Sequence, residues 1–262
     1  MTHYPLAVSF GEIAGVALEW RGTICRLLDW WERIGFNHER SPRNQMAEYV
    51  LTATKSQARA GSFYDRIERF YDLTFKLNGY GRSLDQYFDA HPLPVFPGAR
   101  ILDAGCGTGT LTLALLRTLK VPVKLMALDL SASSMATARK YVARNNPRDQ
   151  SVRFTQGNVL ALPFADESFD LIVTSGVLEY VPLDDGLSEL ARVISRGGHL
   201  LQLPMRPSLV TSLLEMLFRF KAHPLSEVSD TTDRYFQVVS RYSFPPFQAI
   251  GWSRRALLAQ KV

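Results

Sequence analysis

The pattern of hydrophobic and polar positions divides the chain into two parts. Up to about residue 97, apolar residues recur at three- and four-residue steps, which is the spacing of amphipathic helices. From Gly98 onward, short apolar runs alternate with helical patterns, which predicts parallel strands joined by crossover helices. Prolines at 92, 94 and 97 separate the two patterns. We therefore predict a helical N-terminal cap over 1–97 and an α/β core over 98–262.

The same periods place the individual elements. Cap helices are predicted over 13–34, 42–60 and 62–88. Core strands are predicted over 100–103, 124–129, 152–156, 169–175 and 199–204, with helices over 108–119, 133–145 and 183–194. The remaining expectations are a plain turn at Gly197 and Gly198, a cap insertion over about 205–232 with an amphipathic helix over 209–220, and an antiparallel strand pair over 237–243 and 255–261.

Composition places the chain among folded proteins without a disulfide framework. Of its 262 residues, 46% are hydrophobic and 21% are charged, which is enough apolar surface for a sizeable core. Two cysteines, Cys25 and Cys106, are too few for a cysteine-based zinc site or a disulfide scaffold. No stretch reaches the ~20 apolar residues of a spanning helix, and the first residues lack the parts of a secretory signal. We therefore expect a cytoplasmic protein.

The basic excess lies in the C-terminal quarter. From Arg196 to the end, nine Lys or Arg residues stand against four acidic residues, a surplus equal to the whole net charge of +5. This surplus is compatible with an anionic substrate, RNA or an anionic membrane surface, but it falls short of a dedicated nucleic-acid binder. We expect a small-molecule partner, with peripheral contact at the inner membrane surface as the only membrane association.

A glycine loop follows the first predicted strand. Gly105, Gly107 and Gly109 form the pattern G-x-G-x-G, whereas a dinucleotide fingerprint would need glycine at position 110, which is Thr110. A P-loop sequence is also absent. In a Rossmann-like fold, a glycine loop at the carboxyl end of the first strand binds an adenosine cofactor. The spacing therefore favours an adenosine cofactor that has no pyrophosphate.

Two acidic residues accompany this loop. Asp103 stands two residues before the first glycine and can hold a cationic ammonium group. Asp129 ends the second predicted strand, where a ribose lies in Rossmann-like folds and where a carboxylate can accept both hydroxyl hydrogens.

Four segments resemble, in order, the successive motifs of Rossmann-like (class I) S-adenosylmethionine-dependent methyltransferases. They begin at Leu102, Ala127, Gln156 and Glu189 and read LDAGCGTG, ALDLS, QGNVLALPF followed by SFDLI, and ELARVISRGG. The resemblance covers about residues 98–204. It implies a Rossmann-like methyltransferase sheet, mostly parallel with an antiparallel C-terminal strand, and S-adenosyl-L-methionine as the cofactor.

The resemblance also implies roles for individual residues. Asp103 contacts the methionine ammonium through the loop, Asp129 binds the ribose and Leu130 lies against the adenine. Asn158 stands where such enzymes usually have an acid, so it would accept from the adenine amino group without a charge. The implied cofactor-binding set is Asp103, Gly105, Gly107, Thr108, Gly109, Asp129, Leu130, Asn158, Val159 and Ser175.

Several methyl acceptors are disfavoured. Enzymes that methylate base amino groups usually carry (Asp/Asn)-Pro-Pro-(Tyr/Phe) after the fourth strand, where this chain reads Ser175-Gly-Val-Leu-Glu-Tyr. A cytosine-C5 enzyme needs a nucleophilic cysteine, but Cys106 lies inside the glycine loop. Asp184 and Asp185 are placed to open a helix rather than to bind a metal. We therefore predict no metal and disfavour nucleic acid.

The segments that flank the sheet favour a hydrophobic acceptor. The aromatic stretch 62–88 and the amphipathic stretch 209–220 are both apolar. The run that begins at Phe63 resembles the lead-in helix of quinone-biosynthesis and bacterial phospholipid N-methyltransferases, which implies that Tyr64 or Tyr71 closes over the cofactor. Tyr180 stands where many relatives have histidine and is a candidate catalytic residue, ranked above His199 and His223.

The sequence thus predicts a methyltransferase for a hydrophobic or lipid-like small molecule, either a phospholipid amine or a quinone precursor. Two alternatives remain open at this point. One is a methyltransferase for a polar natural product or RNA, and the other is a non-catalytic scaffold that binds the cofactor.

Overall fold

A computed structural model describes residues 79–147, 150–207, 220–245 and 248–262, together with Thr211 and Glu215. The predicted cap helices over 13–34 and 42–60, the candidate residues Tyr64 and Tyr71, and most of the predicted helix over 209–220 lie outside the described residues.

The described residues form a seven-stranded sheet with helices between the strands. The strands are β1 Arg100–Ala104, β2 Lys124–Asp129, β3 Val152–Gln156, β4 Phe169–Ser175, β5 Ile194–Leu203, β6 Gln237–Ser243 and β7 Arg255–Gln260. The helices are α1 Tyr80–Ala90, α2 Thr110–Thr118, α3 Ala132–Asn145, α4 Leu183–Val193, α5 Leu225–Thr232 and α6 Ala249–Ser253, and Leu178–Tyr180 is a short 3-10 helix.

The sheet has the strand order β3-β2-β1-β4-β5-β7-β6. Strands β1 to β5 are parallel, and β7 runs antiparallel to both β5 and β6. This confirms the predicted Rossmann-like sheet with an antiparallel C-terminal pair. The chain runs outward from β1 to β3 and then returns to β4 on the other side of β1, so the carboxyl ends of β1 and β4 open the crevice where such sheets bind ligands.

The central strands are apolar because both of their faces are covered. In β1, four of the five residues are buried, and Leu102 and Ile172 of neighbouring strands are completely buried. One face packs on α1 and α2 through residues such as Leu84 and Leu115. The other packs on α4 and α5 through residues such as Leu187. Two packed faces leave the carboxyl edge as the polar part of the sheet.

Helix ends follow the local chemistry of the sequence. Asp184 and Asp185 lie in the first turn of α4, as predicted, where carboxylates interact favourably with the helix dipole. The side chain of Ser131 caps α3 by accepting a hydrogen bond from the amide of Ser134 at 3.2 Å. Within the described ranges, every helix is too short or too polar to span a bilayer.

The predicted continuous helix over 62–88 is wrong at Gly79. Helix α1 begins at Tyr80, and Gly79 before it has φ 68, a left-handed conformation outside the helical region. The helix then continues past the predicted end, to Ala90. The spacing of apolar residues did not reveal that a helix begins at Tyr80, because the residues after Gly79 keep the same helical spacing.

The predicted turn at Gly197 and Gly198 is also wrong. Both glycines lie inside β5, which bulges: Phe169 pairs with Ile194, whereas Leu171 pairs with His199. Gly197 has φ 74, and its amide donates to the carbonyl of Lys261 at 2.9 Å. The glycines therefore let one long strand pair with both β4 and β7, an outcome set by strands distant in sequence.

Candidate functional site

The glycine loop joins the end of β1 to the start of α2. Gly105, Gly107 and Gly109 have φ values of 77, 52 and 88, a region that side chains other than glycine rarely adopt. The amides of Gly105 and Cys106 donate to the carbonyl of Leu128 at 2.8 and 2.9 Å, which fastens the loop to the end of β2. Thr108 lies half-buried between the last two glycines.

The three glycines differ in what surrounds them. A Cβ on Gly105 would lie 2.7 Å from Cβ of Val177, and one on Gly109 would lie 3.1 Å from Cβ of Ala138. These two positions therefore need glycine for close packing. A Cβ on Gly107 would meet nothing within 4 Å. The open space above Gly107 is a cradle in which a ligand can approach the backbone.

Asp129, the last residue of β2, holds this loop from the side. Its Oδ2 accepts from the amide of Gly107 at 2.8 Å, and its Oδ1 accepts from the amide of Ser131 at 2.9 Å. Burial raises the pKa of its carboxyl, and backbone hydrogen bonds from Ser131, Gly107 and Leu130 oppose that shift. The carboxylate has about four lone-pair sites, so it can still accept from a ligand. The structure thus brings Asp129 and Gly107 together at the opening of the cradle.

Asp103 lies beneath the loop and is completely buried. Its Oδ2 accepts from the hydroxyl of Thr112 at 2.5 Å, whereas its Oδ1 has no hydrogen-bond partner in the described part of the chain. Burial, reinforced by the negative charge of Asp129, raises the pKa of Asp103 to about 7. A buried carboxyl oxygen without a partner is suited to a cationic ligand.

Residues at the ends of β2 and β3 provide an apolar wall. Leu130 is 42% exposed directly after Asp129. Val159 is buried, and Oδ1 of Asn158 accepts from the amide of Leu160 at 3.0 Å. The Asn158 carbonyl oxygen therefore stabilises a local turn and keeps one lone pair for a ligand.

Ser175 ends β4 and meets a residue that the sequence did not single out. Its hydroxyl lies 2.9 Å from the hydroxyl of Tyr80, the first residue of α1. Tyr80 is only 6% exposed, so the hydrogen bond fixes the start of α1 at the carboxyl edge of the sheet. In the sequence, only Gly79 marks the start of α1 at Tyr80.

The other tyrosine candidate, Tyr180, belongs to the 3-10 helix after β4. Its ring centroid lies 5.7 Å from that of Phe220, and it packs on the small cluster of Met205, Phe220 and Ala222. The structure thus places Tyr180 at the carboxyl edge, in contact with the segment that follows β5.

A buried ion pair, Glu179 with Arg254, also lies at this edge. Oε1 of Glu179 is 3.4 Å from Nη1 of Arg254 and accepts from the amide of Met205 at 2.6 Å. The guanidinium packs against Gly176, where a Cβ would lie 2.6 Å from Nη2. Both side chains are nearly inaccessible. The sequence patterns did not indicate this pair, because its members are 75 residues apart and only the fold brings them together.

The chain is similar to known methyltransferases. A model described as a methyltransferase domain matches residues 101–198. The ubiquinone/menaquinone biosynthesis C-methyltransferase UbiE of Hahella chejuensis is 30% identical over 206 residues, which are 76% of this chain and 82% of that protein. The demethylmenaquinone methyltransferase of Lactiplantibacillus plantarum is 30% identical over 174 residues, 60% of this chain and 73% of that protein.

A solved structure shares the fold. Geranyl diphosphate C-methyltransferase from Streptomyces coelicolor A3(2), in complex with Mg2+, geranyl diphosphate and S-adenosyl-L-homocysteine, superposes with a TM-score of 0.57. The superposition covers 69% of this chain and 79% of that chain at 18% sequence identity. In the described ranges of the present chain, His, Cys, Asp and Glu side chains form no group that could hold a metal ion.

Proposed function

Because the chain belongs to the class I S-adenosylmethionine-dependent methyltransferases related to quinone biosynthesis, we propose that it methylates a ring carbon of a lipid-like quinone precursor. The cofactor supplies a methyl group on a positively charged sulfur, which is already reactive toward a nucleophile. The protein therefore has to hold the acceptor in line and keep water away, where proximity contributes about 7–11 kcal/mol.

The residues of the crevice fit this cofactor. The cradle above Gly107 admits a ligand to the backbone, and the unpartnered oxygen of Asp103 suits the ammonium of its methionine part. Asp129 would bind the ribose through its remaining lone pairs, and the exposed Leu130 would cover one face of the adenine. Ser175 would lie at the methionine end, where Tyr80 holds its hydroxyl.

The similarity to quinone C-methyltransferases over most of their length is the observation that carries the choice of acceptor. The carboxyl edge supports it, because Tyr180 packs there on an apolar wall formed by Met205, Phe220 and Ala222. An apolar wall favours a ring with a hydrocarbon tail over RNA or a polar natural product.

Binding of the cofactor is expected to release about one proton from Asp103 at pH about 6. The carboxyl is mostly protonated there, since burial raises its pKa to about 7. A nearby ammonium lowers the pKa again, so the proton leaves on binding. Calorimetric titration in buffers of different ionisation enthalpy measures this release. Asp103→Asn, which keeps an oxygen for Thr112, should abolish it, and equal release by both proteins would contradict the assignment.

Methyl transfer to a quinol is tested directly with labelled cofactor. We expect label to enter a prenylated 1,4-naphthohydroquinone and to be retained in the ring after acid treatment. Phosphatidylethanolamine vesicles and bulk RNA serve as competing acceptors, and either of them taking up the label instead would overturn the proposal. Cofactor binding without transfer to any acceptor would overturn it in favour of a scaffold.

A further inference from the structure

A small cavity lies between α5 and the carboxyl ends of β4 and β5. It is half-enclosed and has room for about one water-sized group. Leu178 and Leu183 line one part of it, and Leu203 and Val228 line another. Gly176, which directly follows the Ser175 end of β4, also lines the cavity, so the cavity adjoins the crevice in which the cofactor is proposed to bind.

Three residues that line this cavity each have a buried polar atom with no hydrogen-bond partner in the described part of the chain. These atoms are Oγ1 of Thr174, Oε1 of Gln202 and Nε2 of His223. The three residues are 2%, 1% and 7% exposed, so bulk water does not solvate these atoms. Buried polar atoms are nearly always satisfied in folded proteins. A group held inside the cavity that these residues line could provide the missing partner.

Neighbouring hydrogen bonds fix what these atoms offer. Nε2 of Gln202 donates to the hydroxyl of Thr232 at 2.6 Å, which leaves the amide oxygen as an acceptor. Nδ1 of His223 lies 2.9 Å from Oε1 of Glu227. An ionised carboxylate only accepts, so Nδ1 carries the hydrogen, and in the neutral ring Nε2 presents a lone pair. The Gln202 oxygen and the His223 nitrogen are acceptors, and Thr174 has a hydroxyl. These groups favour a bound group that can donate a hydrogen bond.

We propose that this cavity takes the acidic hydroxyl of the acceptor and that His223, held by Glu227, is the general base that removes its proton. The inference rests on the proposed function, because a quinol carries such a hydroxyl on its ring. The ring itself is too large for the cavity and would lie outside it, against the crevice. The site is built for this task, because a carboxylate that orients an imidazole also stabilises the imidazolium formed.

The proton transfer prepares the ring for methylation. Nε2 of His223 takes the hydroxyl proton, and the electron pair left on oxygen is delocalised to the adjacent ring carbon. That carbon forms a bond to the methyl group, and the electron pair of the broken sulfur–carbon bond stays on sulfur. The hydrogen of the methylated carbon then leaves as a proton to water, and the imidazolium returns its proton to the oxygen. One proton is released overall.

Charged groups on both sides of His223 fix the orientation of its ring. Glu227 on α5 faces Nδ1, and Nζ of Lys221 lies 3.6 Å from the same carboxylate. Hydrogen bonding to His223 and the charge of Lys221 lower the pKa of Glu227, so it is ionised whenever the histidine works. Glu179 at the cavity wall is paired with Arg254.

Replacing His223 with asparagine tests the role of the base. We expect kcat to fall about 10²–10⁴-fold, the usual contribution of a general base, with an unchanged affinity for S-adenosylmethionine. The residual rate of H223N should rise more steeply with pH than the wild-type rate, because the variant needs an acceptor that is already ionised. His199→Asn, a half-buried histidine on β5, is the matched control and should behave as the wild type.

A binding measurement tests the cavity without turnover. The probe is 1-naphthol, whose ionised form absorbs at longer wavelength. The wild type should increase the ionised fraction of bound naphthol, and both H223N and Glu227→Gln should lose this effect while remaining folded by circular dichroism. The inference is overturned if H223N keeps the wild-type rate and pH profile, or if only its melting temperature changes, as a buried structural water would predict. Failure of the wild type to methylate any quinol would overturn the proposed function, while the naphthol measurement would still decide the role of His223.

Discussion

Replacing Asp129 with alanine is expected to abolish binding of S-adenosylmethionine while the protein stays folded. The change removes the carboxylate proposed to bind the ribose and frees the amide of Gly107 from its 2.8 Å hydrogen bond. Two hydrogen bonds to a charged group contribute about 1.5–3 kcal/mol each, so the affinity should fall about 100-fold or more. The amides of Gly107 and Ser131 also lose their acceptor, which costs about 1–3 kcal/mol for each donor that stays buried, an amount that a stable domain tolerates.

Calorimetric titration with S-adenosylmethionine and S-adenosylhomocysteine measures the loss. Asp129→Asn keeps one oxygen for a backbone donor and should bind more tightly than the alanine variant, but more weakly than the wild type. Asp185→Ala, an exposed acid in the first turn of α4, is the matched control and should bind normally. Wild-type affinity in D129A, with a normal thermal transition, would show that this carboxylate does not hold the cofactor.

Replacing Gly107 with arginine is expected to remove cofactor binding by filling the cradle. A Cβ at this position meets nothing within 4 Å, so the side chain has room and the fold has no clash to relieve. The arginine would occupy the space proposed for the cofactor and would repel its sulfonium and ammonium. Its φ of 52 adds a conformational cost of about 1–2 kcal/mol, which a stable domain tolerates.

A control at Gly98 distinguishes the effect of backbone strain from the effect of filling the cradle. Gly98 has φ 86 and also leaves open space for a Cβ, but it lies before β1, at the opposite end of that strand from the cradle. Gly98→Arg therefore carries the same kind of strain and charge and should retain binding. Titration and thermal melting of both variants are compared. Equal affinities for the two would remove the cradle as the cofactor site.

A central strand such as β4 was predictable because burial on both faces leaves a continuous apolar run that is visible in the sequence alone. Strands β2, β3, β4 and β6 have the predicted bounds. Helix α2 begins two residues later than predicted, because Gly109 is left-handed and ends the loop at Thr110. The predictions failed at glycines that could occupy more than one kind of local structure. Gly79 is left-handed and directly precedes α1, and Gly197 became part of a bulged strand rather than a turn.

The sequence by itself determined most of the strands and helices, the G-x-G-x-G loop and the acids near the carboxyl ends of β1 and β2, because each depends on neighbours a few residues away. Only the tertiary structure decided which side chains meet at the carboxyl edge. The hydroxyls of Tyr80 and Ser175 are joined across 95 residues, and Glu179 and Arg254 are joined across 75. His223 ranked last among the candidates because a histidine after a helix has no local signature. Its unpartnered nitrogen acquires meaning only where β4, β5 and α5 enclose it beside Thr174 and Gln202.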